Sequence, residues 1–99
     1  MPAIVQINFS YTESQADLEK HSAEAAPRFS GVEGLQWKVW LVDAAAKTAG
    51  GIYLFDNRAN ADAYAGGPLV ERLKNARDGV NVKVFDTIDA AGAITNAPV

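Results

Sequence analysis

Apolar and polar side chains alternate from Ala3 to Tyr11. Val5, Ile7, Phe9 and Tyr11 share one face and Gln6, Asn8 and Ser10 the other, with only Ile4 out of step. That period of two predicts a first strand. Thr12 or Ser14 can cap the helix that follows, and Glu13 and Asp17 suit its positive end. Leu18, Ala25, Ala26 and Phe29 keep helical spacing and form its expected buried stripe, which Pro27 and Ser30-Gly31 bring to a close. Two strands rich in Trp, Tyr, Val and Ile come next, Leu35–Val42 and Gly51–Phe55, joined by a connection too long for a two-residue turn. Asp56-Asn57 caps a second helix with Ala61, Tyr64 and Ala65 inward. Gly66-Gly67-Pro68 breaks it, and Leu69 and Leu73 resume the apolar stripe to about Ala76. Asp78-Gly79 reads as a turn and Val80–Thr87 as a fourth strand. Ile88–Val99 is an Ala-rich tail with one apolar anchor at Ile94.

The order is β-α-β-β-α-β over a single domain, residues 1–99. This is the α+β, ferredoxin-like plan: an antiparallel sheet with its helices on one face. Such a sheet leaves its second face bare, and an aromatic face of that size requires a cover. A second copy packed sheet to sheet supplies one, giving a homodimeric α+β barrel with a cavity between the sheets. Strand parity then places Gln6, Asn8, Tyr53, Phe55, Lys83 and Phe85 in that cavity, and Val5, Ile7, Ile52, Leu54, Val82 and Val84 against the helices. In the second strand Leu35, Trp37, Val39 and Leu41 form the more apolar face, which assigns Lys38 and Trp40 to the cavity. A one-residue bulge would put Trp37 there instead.

Composition narrows the chemistry. A net charge of -3 with no Lys/Arg cluster argues against nucleic acid. The absence of cysteine removes disulfides, thiolate ligands and Cys nucleophiles. The N-terminal stretch lacks the basic and apolar regions of a signal peptide, and no apolar run approaches the ~18 residues of a membrane span, so a cytoplasmic protein is expected. There is no Gly-rich nucleotide motif, and one histidine is too little for a zinc or haem site, so no cofactor is expected. Tyr53 can donate to a bound phenol or merely fill an interface. Trp40 can stack on a ring or simply pack. Lys38 can hold a phenolate, or pair with a carboxylate at the rim. Gln6 and Asn8 can fix a ligand oxygen or satisfy each other. His21 and Arg72 read as solvated helix positions.

The runs GLQWKVW, AGGIYLF and VKVFDT, with Gln6 in the first strand, resemble the YdhR mono-oxygenase family over nearly the whole chain, in the same order and spacing. The resemblance implies the dimeric α+β barrel superfamily, whose members include cofactor-independent mono-oxygenases that oxidise aromatic polyketides to quinones. It implies a small phenolic or quinol-like substrate. On this reading Tyr53, Lys38 and Asn8 are the catalytic candidates, and Gln6, Trp40, Trp37, Phe55, Lys83 and Phe85 the substrate contacts. Asn8 departs from the family pattern, in which a His can stand there, and an amide is a poor base. A non-catalytic dimeric binding protein for a small apolar ligand is the alternative.

Overall fold

The computed structural model describes all 99 residues. Its first strand, β1 (Ala3–Ser10), is central. It pairs antiparallel with β3 (Thr48–Phe55) on one side and β4 (Asp78–Asp86) on the other, and β2 (Leu35–Asp43) lies outside β3, giving the order β2-β3-β1-β4. The helices are α1 (Gln15–Ala25), α2 (Arg58–Ala65), α3 (Pro68–Ala76) and a short α4 (Asp89–Ile94), with a 3-10 helix over Ala26–Gly31. No helix is long and apolar enough to cross a membrane. The order expected from the apolar pattern is present, and the fold is ferredoxin-like.

Local chemistry sets the boundaries. Ser14 caps α1, its hydroxyl accepting from the Asp17 N–H at 3.1 Å. Pro27 sits at the start of the 3-10 helix, where its missing N–H costs nothing. Asn57 caps α2 by accepting from the Asn60 N–H at 2.8 Å. The Gly66-Gly67-Pro68 break is real: α2 stops at Ala65, Gly67 caps α3 and Pro68 opens it.

Other details differ from expectation. Ala26 is exposed, so the stripe runs from Leu18 of α1 to the half-buried Phe29 of the 3-10 helix without it. The β2–β3 connection shrinks to a four-residue turn, with Lys47 in the left-handed region at φ 55°. Asp78-Gly79 is no turn. Both belong to β4, where Gly79 at φ 64° accommodates a register shift opposite Asn8 and Ser10. Ile94 anchors nothing, being 84% exposed; the tail is tied instead by the Trp37 indole N–H, which donates to the Pro98 carbonyl at 2.9 Å.

The two faces of the sheet follow from the register. Val5 stands opposite Tyr53 and Val84, and Ala3 opposite Phe55, so Tyr53 and Phe55 look toward the helices with Val5 and Ile7. Ile52 and Leu54 stand opposite Gln6 and Ile4 on the other face. The parity expected for β3 is therefore reversed, while that of β4 holds. In β2 the register steps from Leu35–Phe55 to Trp37–Leu54, which makes Gln36 the extra residue of a bulge. Beyond it Lys38 pairs with Tyr53 and Trp40 with Gly51, on the helix side, and Trp37 and Val39 face outward. Ala3, Val5, Ile7, Tyr53 and Phe55 form the core with Ala61 of α2 and Val70 of α3. Tyr11, Leu18 and Ala49 form a second, smaller cluster.

Candidate functional site

A groove of about 390 Å³ opens between the helix side of the sheet and the layer of α1, the 3-10 helix and α3. Its size suits a small ligand. Lys38 and Trp40 of β2 and Tyr53 of β3 form its floor, Phe29 and Tyr64 its aromatic walls, and Leu69 and Leu73 its apolar side. Gly51 makes room for this arrangement. A Cβ there would lie 2.8 Å from Lys38 Cε and 3.2 Å from Tyr53 Cε1, so glycine lets the lysine stem lie across the strand.

The aromatic groups interlock. Phe29 and Trp40 meet edge to face at 5.5 Å, and Tyr53 and Tyr64 are 5.1 Å apart. Within this box Lys38 Nζ lies 3.2 Å from the Trp40 ring centroid, 4.0 Å from that of Phe29 and 4.6 Å from that of Tyr53. It makes no ion pair. Burial without a counter-ion pushes its ammonium down to about 7, so near neutral pH a large share of Lys38 is a free amine. Burial pushes the Tyr53 phenol the other way, well above its ordinary range, and the Tyr64 phenol beside it adds to the shift. Tyr53 thus keeps its proton at neutral pH. Desolvation raises Tyr64 as well.

Two residues that line the groove, Arg77 and His21, converge on Glu13. Arg77 donates to both carboxylate oxygens of Glu13, at 2.5 and 2.7 Å, and His21 Nδ1 lies 3.0 Å from the same carboxylate. Lys47 donates to the Glu13 carbonyl. The Arg77 guanidinium holds the Glu13 carboxyl far below the usual carboxylate range, and is itself raised by it. With His21 committed to Glu13, no three His, Asp or Glu side chains converge in a metal-holding group.

The candidates named from sequence therefore separate. Tyr53, Lys38 and Trp40 meet in the groove. Phe55 is fully buried beneath it, its ring 5.5 Å from Tyr64, and is core rather than cavity wall. Gln6, Asn8, Trp37, Lys83 and Phe85 lie on the opposite face of the sheet, where Gln6 Nε2 donates to Asn8 Oδ1 at 3.2 Å. A ligand touching Tyr53 cannot touch Asn8, because the sheet stands between them. Sequence reasoning missed Phe29 and Tyr64 as walls, and His21 and Arg72 as lining, although the inward spacing of Tyr64 and of Leu69 and Leu73 already pointed between helices and sheet.

The family model described as "Putative mono-oxygenase ydhR" matches residues 4–98. No curated protein matches the chain in sequence. Among solved structures it is similar to a protein of unknown function from Nitrosomonas europaea, with 16% identity, a TM-score of 0.69 and 88% of this chain covering 89% of that one. It is similar to a "putative antibiotic biosynthesis monooxygenase" from Deinococcus radiodurans, with 13% identity, a TM-score of 0.64 and coverage of 88% and 92%. It is also similar to the heme degrader MhuD of Mycobacterium tuberculosis, solved with two hemes in its active site, with 17% identity, a TM-score of 0.63 and coverage of 86% and 95%. At these identities the likeness is one of fold.

Proposed function

The chain belongs to the YdhR mono-oxygenase family, and on that premise we propose that the groove binds a phenolic or quinol-like aromatic and that Lys38 and Tyr53 ready it for reaction with oxygen. The observation that carries this reading is Lys38: a lysine without a counter-ion, boxed by three rings and depressed to about 7. A lysine so placed is a proton acceptor at working pH. The substrate ring lies against Trp40 and Phe29, with its oxygen toward Tyr53 and Lys38. The Lys38 amine takes the phenolic proton. The resulting ammonium then faces the phenolate in a site of low dielectric, and the Tyr53 hydroxyl donates to the same oxygen.

The anion is the reductant, so the chemistry needs no cofactor. For an anthrone, the methylene carbon loses two hydrogens and gains one oxygen atom to become a carbonyl. The second oxygen atom of O2 leaves with those hydrogens as water, and the substrate supplies all four electrons. Oxygen uptake with hydroxylated naphthalenes and anthrones, one equivalent per quinone formed, is the expected result. Binding without uptake across that panel would reduce the groove to a carrier site and sink the enzymatic reading.

The same reading includes a homodimer. On the outer sheet face Val39 and Phe85 are 50% and 47% exposed, beside Ile4, Ile52 and Trp37. A second copy set against that face would bury at least ~1,200 Å² in total, the lower end for stable complexes. Light scattering at micromolar concentration should return twice the chain mass; a monomer mass would overturn the dimer and leave the groove of each chain intact.

A further inference from the structure

The groove gathers positive charge in a chain that is acidic overall. Four of the nine Lys and Arg residues line it, Arg28, Lys38, Arg72 and Arg77, against Glu24 alone of the twelve Asp and Glu. Arg77 is neutralised by Glu13. Arg28 and Arg72 make no ion pair, although Glu24 stands one turn before Arg28 and Glu71 beside Arg72. Their positions are informative. Leu69, Arg72, Leu73 and Ala76 follow one another at helical spacing on α3 and all line the groove, so Arg72 interrupts an apolar stripe on the groove side. Arg28 precedes Phe29, whose ring lies against the Lys38 head group, and lines the groove from the 3-10 helix rather than α3.

We infer that the substrate of this groove carries a carboxylate, which Arg28 and Arg72 receive at the rim while its aromatic body occupies the box around Lys38. This rests on reading the groove as a site for a planar aromatic. Guanidinium forks match a carboxylate in shape as well as charge, which a lone ammonium does not. Two unpaired forks lining one groove from two elements also raise the local concentration of an anion against the repulsion of a net charge of -3. The polarity of binding follows: the reacting phenol goes down to Lys38 and the carboxylate stays at the solvent edge.

Calorimetric titration with two probes tests this, a naphthol and the hydroxynaphthoate that differs from it by a carboxylate alone. The hydroxynaphthoate should bind about 10-fold more tightly, the worth of a charge-assisted pair, and the difference should shrink as salt is raised. In the double variant Arg28→Gln, Arg72→Gln the preference should vanish while the naphthol Kd stays put. Both side chains are exposed, so the variant should melt like the parent. Equal affinities in the parent, or a preference that survives the double substitution, would overturn the inference and leave the aromatic groove standing. Failure of both probes to bind would overturn it together with the reading of the groove. A carboxylate preference with no oxygen uptake would uphold it while removing the mono-oxygenase.

Discussion

Lys38→Met will stabilise the protein at and below neutral pH while cutting turnover by orders of magnitude. The ammonium has a depressed pKa of about 7 in the fold against an ordinary 10.5 in the unfolded chain. Between those values the unfolded chain holds a proton that the native groove has released, so stability rises with pH across that window. Below about 7 both states are charged and the burial penalty is present in full. Methionine removes that penalty and keeps the length of the stem. The head group retains some solvent and the three rings return part of the cost, so the gain at pH 6 is discounted to about 1–2 kcal/mol. That is a rise of several degrees in melting temperature for a domain of this size. The slope between pH 7 and 10 should flatten in the variant.

Turnover should move the other way. With its proton acceptor gone, kcat/KM should fall ~10²–10⁴-fold, and the parent's profile should climb through about pH 7. Tyr53 and Tyr64 stay protonated across this range. His21 also lines the groove, so His21→Gln, which leaves Lys38 in place, should preserve the inflection. A fully active Lys38→Met would make the lysine a mere spacer between rings. Stability gained by deleting a functional group is the expected signature of a strained site.

The arrangement of elements was readable because each boundary carries its own chemistry: a serine cap at Ser14, a Gly-Gly-Pro break, alternation in β1. What could not be read was which face of β2 and β3 meets the helices. In β3 both alternating sets are apolar, Ile52 and Leu54 against Tyr53 and Phe55, so no polar residue breaks the tie. The core takes the aromatic pair, and the outer face takes the aliphatic one. In β2 apolarity alone puts Leu35, Trp37, Val39 and Leu41 inward, yet the Gln36 bulge turns Lys38 and Trp40 to the helix side. A lysine there contradicts burial rules, and such local contradictions mark functional ground. Covering the bare face with a second copy puts a cavity between two sheets, and parity puts Tyr53 in it; with Tyr53 turned inward, the groove that it lines lies between sheet and helices in each chain. Arg72 reads as solvated beside Glu71 and is indeed exposed, yet its spacing from Leu69 and Leu73 also sets it on the groove side.

Phe55→Ala should be the most destabilising single truncation among the residues first suspected of lining a cavity, at ~3–5 kcal/mol. Its side chain is fully buried, opposite Ala3 in the register and 5.5 Å from the Tyr64 ring, in the cluster that joins the sheet to α2 and α3. Truncation leaves a void that close-packed neighbours cannot fill, and a domain with ~5–15 kcal/mol in total has little to spare. Trp40→Ala is the comparison. Trp40 is 39% exposed at the groove mouth and packs chiefly on Phe29 and the Lys38 head group. Its loss removes contacts on one side only and should cost ~1–2 kcal/mol, below the range for core aromatics, while weakening naphthol binding several-fold. Urea denaturation separates the two by midpoint at unchanged slope. If Trp40→Ala unfolded the protein and Phe55→Ala were mild, the helix side of the sheet would not be where Phe55 lies. The groove would then lose its floor, since Tyr53 shares that face by the alternation of one strand.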